Sequence, residues 1–193
     1  MAKRHRKPHK TAMEAATRAL EKAEREQCIV IYAAAALALS RGWGRGKKAI
    51  LSVFETTMAV WHECTLTDDK SMLRMCEDET GIEVQCGDGK SWHDIAYLNR
   101  TLSGRSMTFA QWTYMRQQQI RWIAPQIVAC FLLTLHRKYR FGFDRCARFY
   151  SQIDAVRADY NEDPKKMLEQ CRQEVEINIY DVITNSEYGR RET

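Results

Sequence analysis

Gly42–Lys48 reads GWGRGKK. It stands between an alanine- and leucine-rich run, IYAAAALALSR from Ile31 to Arg41, and a second apolar pattern, AILSVFETTMAVW from Ala49 to Trp61. Such a stretch is read either as a phosphate-cradling loop or as the corner between two helices. A phosphate loop needs G-x-x-x-x-G-K-[ST] after a β-strand. Lys48 stands where Ser or Thr is required, and Arg41 where the first glycine is required. The preceding run has the composition of a helix, not of a strand. The corner reading is left, with Gly44 supplying a left-handed residue at the helix end.

A similar corner recurs. WGRGKKAILSVFET (Trp43–Thr56) can be set beside FGFDRCARFYSQID (Phe141–Asp154). Each begins aromatic–Gly, has a basic residue three positions after the glycine (Lys47, Arg145), and continues as an amphipathic helix. Each follows a long apolar run, the second being IVACFLLTL (Ile127–Leu135). Further on, MLRMCEDETGIEV and MLEQCRQEVEINI pair Met72 and Leu73 with Met167 and Leu168, and Cys76 with Cys171. Two accounts stand: a duplicated helix–corner–helix unit, or convergent use of one corner. In both units a glycine, Gly44 or Gly142, is expected in the left-handed conformation.

The rest of the chain supports an all-α fold, an irregular bundle of about six or seven helices. Three prolines and nine glycines punctuate 193 residues. Residues 1–10 read as a disordered basic arm, 11–180 as one helical domain and 181–193 as a C-terminal tail. Thr11 is a plausible N-cap, with Glu14 completing a capping box. Residues 28–39 and 122–135 are apolar nearly all round, so they are expected to pack together as the core pair. Pro125 should kink its helix or open a new one. Thr108 begins the long pattern that contains it. Thr67 caps an acidic helix closed by Gly81, and a short helix follows around WHDIAYLNRTL. Asp163-Pro164 is an N-cap and first-turn pair. Asp88-Gly89 suggests one very small hairpin near 82–90, and INIYDVITN (Ile177–Asn185) a short extended segment.

Charge is unevenly placed. The net charge is +5, from 30 Lys and Arg against 25 Asp and Glu. Lys3, Arg4, Arg6, Lys7 and Lys10 lie in the first ten residues with no acid among them, and they account for the whole excess. Arg41, Arg45, Lys47 and Lys48 cluster at the first corner, and Arg137, Lys138, Arg140, Arg145 and Arg148 at the second. Two basic corners and a basic arm form a footprint for phosphate backbones. The alternative is that these residues complement acids elsewhere in the chain. Trp43, at the first corner, is either a base-stacking residue or core.

Catalytic and metal signatures are weak. His62, Cys64, Cys76, Cys86 and His93 are the candidates for zinc, but no cysteine pair has the close spacing of a zinc knuckle. The expectation is no metal, no cofactor and no enzymatic activity. Seven dispersed cysteines and no secretory pattern suggest a reducing, cytoplasmic setting. No apolar run reaches the ~20 residues that span a bilayer.

LHRKYRFGF and FGFDRCARFYSQIDAVRADYNEDPKKMLEQCRQEVEI, together Leu135 to Ile177, resemble small α-helical proteins encoded by phages and mobile elements. Some proteins of that kind are anti-CRISPR inhibitors of Cas9. The resemblance implies a non-enzymatic binding protein whose partner is a nucleoprotein effector such as Cas9 with guide RNA. The acidic segment 68–83 would then be a candidate to meet the effector's basic channels. A DNA-binding regulator using a helix–corner–helix unit, or a structural assembly protein, are the alternatives.

Overall fold

In a computed structural model that describes residues 7–65, 71–86, 89, 91–92 and 108–185, the chain is helical and none of these residues is in a strand. The helices are α1 (Lys7–Trp43), α2 (Lys47–Thr65), α3 (Ser71–Thr80), α4 (Phe109–Tyr139), α5 (Phe143–Asp159), α6 (Pro164–Val175) and α7 (Ile179–Asn185). Thr108 caps α4 through the N–H of Gln111, which completes a capping box. The Asp163 carboxylate accepts from the N–H groups of Lys165 and Lys166, with Pro164 in the first turn of α6.

Five expectations need correction. Helix α1 starts at Lys7, so Lys7 and Lys10 belong to it and Thr11 lies within it. Pro8 is tolerated in a first turn, where an N–H has no helical acceptor. Lys3, Arg4 and Arg6 lie outside the described residues. The segment from Ile179 is helical, because the Asn178 carbonyl accepts from Asp181 and Val182 and starts a turn. Helix α7 thus takes the beginning of the tail expected at 181–193. Residues 82–86 form no strand. The alternation there reflects Ile82, Val84 and Cys86 turning into the core. Asp88, the Thr67 cap and the helix expected after Trp92 fall outside the described residues.

Helices α1 and α4 pack against each other, as expected for the two apolar runs. Ala33, Ala34, Ala35 and Ala36 are fully buried, and their small side chains let neighbouring backbones come close. Pro125 lies inside α4 without ending it. Tyr32, Phe54 and Phe131 meet edge to face at the centre, with centroids 5.1–5.6 Å apart.

The packing partners reveal the architecture. Helix α1 packs on α5 and α6, whereas α4 packs on α2 and α3. Each long helix is therefore covered by the two short helices that follow the other long helix. Much of the burial pattern repeats, at an interval of 96 residues through α2 and α5 and of 95 from Met72 onward. Ile50, Val53, Thr57 and Val60 of α2 are buried, and so are Cys146, Phe149, Ile153 and Val156 of α5. Met72, Cys76, Ile82 and Val84 are matched by Met167, Cys171, Ile177 and Ile179, all buried. Reciprocal contacts of this kind define an approximate two-fold relation. The chain holds two similar helix–corner–helix units, interlocked by exchange of their short helices.

Candidate nucleic-acid interface

The two corners share one backbone form. Helix α1 ends at Trp43, Gly44 is left-handed at φ +60°, and the Arg45 N–H reaches back to the Leu39 carbonyl (3.2 Å). Helix α4 ends at Tyr139, Arg140 is left-handed at φ +57°, and the Phe141 N–H reaches the Leu135 carbonyl (3.1 Å). Gly46 and Gly142 then begin α2 and α5, their carbonyls accepting the first helical N–H groups. Gly142 is extended at φ −75° and is the N-cap, so the left-handed role expected of it belongs to Arg140. The true match sets Gly46 with Gly142 and Trp43 with Tyr139, two residues from the match that the aromatic–Gly pairs suggest.

The structure divides the basic residues into two groups. Arg41 and Arg137 are equivalent positions, and each is committed to the other unit. Arg41 grips Glu174 through Nε (3.0 Å) and a terminal nitrogen (2.6 Å), and a further bond of 2.9 Å reaches the Tyr160 hydroxyl. Arg137 grips Glu79 through Nε (2.8 Å) and a terminal nitrogen (2.5 Å). Glu79 and Glu174 are themselves equivalent positions. The guanidinium beside each glutamate holds its carboxyl below the usual value. These two arginines are structural clasps, so they leave the list of partner-binding residues. Glu79 is likewise engaged, which removes it from the acidic segment's free charge.

The second group is open. Arg45, Lys47, Lys48, Lys138, Arg140, Arg145 and Arg148 are exposed and make no ion pair among the described residues. Trp43 brings the corners together. Its half-buried ring packs on Phe141 (5.4 Å between centroids) and Phe149 (5.9 Å) of the second corner. The Arg148 guanidinium stands 5.6 Å from its centroid, and Arg145 stands 5.8 Å from that of Phe141. Trp43 therefore joins the corners and is not a free stacking platform.

Phe143 is the residue that sequence reasoning misses. It is the first residue of α5, between Gly142 and Asp144, and 58% of it is exposed. One ring edge rests at Gly81, where an added Cβ would stand 3.2 Å from Cδ2. The signal was present in FGF: Phe141 is buried at 3%, so the alternate Phe143 faces out.

All seven thiols are buried. Burial pushes Cys28, Cys76 and Cys171 up to about 12 and Cys146 up to about 11. Such thiols are poor nucleophiles and poor metal ligands at neutral pH. Among the described residues, no group of three His, Cys, Asp or Glu side chains is placed to hold a metal ion, and His93 lies outside them. No helix among those residues is long and apolar enough to cross a membrane. No family model, curated protein or solved structure matches the chain.

Proposed function

We propose that this is a non-enzymatic binding protein that docks its joined basic corners on the exposed phosphate backbone of a nucleoprotein. The observation that carries the reading is the contact of Trp43 with Phe141. It merges two modest clusters into one face of unpaired cations around an exposed aromatic, Phe143. Cations that track phosphates beside a ring that stacks a base are the parts of single-strand recognition. Glycine caps at 46 and 142 add accessible helix N-termini, which favour anions. The resemblance of Leu135–Ile177 makes a Cas9-type effector carrying guide RNA the first partner to test.

For the regulator reading, spacing sets the number of chains required. Two reading heads on successive turns of duplex DNA stand about 34 Å apart. The corners here touch through rings 5.4 Å apart, so one chain does not span two half-sites and a regulator would use a second copy of the chain.

The test pairs gel shifts on single-stranded and duplex DNA with pull-downs of Cas9, with and without guide RNA, at physiological salt. Wild type is expected to bind the guide-loaded effector. Reversing Lys47, Lys48 and Arg148 to Glu should weaken binding by at least about tenfold while the chain still melts cooperatively. Phe143→Ala should cost about 1–3 kcal/mol of binding, the worth of one stacked base. Wild-type affinity in the triple reversal would remove the corners from the interface. Tight, sequence-selective binding to duplex DNA alone would favour the regulator.

A further inference from the structure

The two-fold relation also generates two clefts, and they have diverged. The first is floored by Cys28, Tyr32 and Trp61 and closed by Val182 and Ile183 of α7, leaving about 30 Å³. Ala124, Val128 and Arg157 stand at the positions equivalent to that floor, and they line a second cleft of about 360 Å³. That volume is in the range of small-molecule sites. Arg157 thus replaces a tryptophan, and Tyr150 replaces the buried Phe54. The Tyr150 hydroxyl accepts the N–H of Gln85 at 3.2 Å.

Pro125 forms part of the wall. It has no N–H, so the Arg121 carbonyl one turn earlier loses its helical donor. The Cys86 thiol donates to that carbonyl instead, at 3.4 Å. The charged groups are Arg121, Arg157 and Glu162. One terminal nitrogen of Arg157 bonds Asp154 (3.1 Å) and the other Glu162 (2.6 Å). Its Nε is buried with no hydrogen-bond partner among the described residues. Leaving such a donor unpaired is costly. Asn161 and Glu162 are both left-handed, at φ +50° and +55°, so backbone energy is spent to hold Glu162 there.

We propose that this cleft binds a small amphipathic anion. An apolar or aromatic body lies against Val84, Ala124, Pro125 and Val128. A carboxylate or phosphate oxygen accepts from the Arg157 guanidinium in the place of the Glu162 carboxylate, with Arg121 as the second cation. The anion competes with Glu162 for Arg157 and relaxes the strained turn.

The experiment is NMR of the arginine Nε–Hε signals of the full chain, titrated with 2-naphthoate, 2-naphthyl phosphate and the neutral 2-naphthamide. The Arg157 signal should move with one or both anions and stay still with the amide. Which anion moves it distinguishes a carboxylate ligand from a phosphate ligand. Arg121→Met should weaken the response about tenfold, and Glu162→Gln, which removes the competitor, should strengthen it several-fold. An Arg157 signal that is unmoved by both anions, or moved equally by the amide, overturns the proposal. So does movement confined to the corner residues Arg45, Arg140, Arg145 and Arg148. Unchanged affinity in both variants overturns it too.

Discussion

Arg41 and Arg137 show how much a single position can mislead in sequence. Both lie in basic clusters, and charge counting assigns both to a partner. Each in fact makes a bidentate clasp to a glutamate of the other unit, Glu174 or Glu79. Sequence alone has no means of seeing a partner 133 residues away. The clasps are partly exposed, with side chains 28–37% accessible. Solvent screening therefore limits each to about 1 kcal/mol. Both glutamates have lowered native values, so their contribution is fully present above the ordinary carboxyl value of 4.5. It is lost as pH falls through those lowered values. Urea midpoints measured between about pH 6 and pH 3 should fall steeply for the wild type. Glu79→Gln combined with Glu174→Gln should lose about 1–2 kcal/mol at pH 7 and flatten that slope. An unchanged slope would mean that the clasps hold no net stability.

At the scale of the element, the corners divide what was legible from what was not. Gly44 was readable because a helix end needs a left-handed residue and glycine adopts it without cost. Asp163-Pro164 was readable as a cap for an equally local reason. Arg140 was not readable, because a left-handed arginine is paid for by tertiary packing, here the buried Phe141 that follows it. Lining up the corners by their aromatic–Gly pairs slipped by two residues. Nothing local distinguishes Trp43–Gly44 from Gly46 as the partner of Gly142. The pairing of Cys76 with Cys171 held because the surrounding Met and Leu positions all face the core. Chemical denaturation can test the corner account. Gly44→Ala places a Cβ at φ +60° and should cost about 1 kcal/mol. Arg140→Gly relieves the equivalent strain at φ +57° and should gain about 0.5–1 kcal/mol. The same sign for both substitutions would show that the two corners are not equivalent.

At the scale of the molecule, exchange of short helices decides how stability is distributed. The apolar face of α1 is covered by α5 and α6, and that of α4 by α2 and α3. In this arrangement neither half covers its own long helix with its own short helices. The composition and the two long apolar runs were sufficient to read an all-α core pair, but not which short helices would cover which long one. Connectivity is invisible to periodicity, since either helix order buries the same residues. The exchange makes a strong demand on folding, because the two halves must order together. Cutting the chain between Trp92 and Thr108 should give two fragments with no cooperative melt at micromolar concentration. Mixing them should restore a single cooperative transition and the native circular dichroism, with a midpoint that rises with fragment concentration. If the fragment ending at Trp92 melts cooperatively alone, as a monomer, then α2 and α3 can cover α1, and the interlocked arrangement is not required for folding. If it melts cooperatively only as a homodimer, a second copy has taken the place of the missing half, as the two-fold relation between the halves requires.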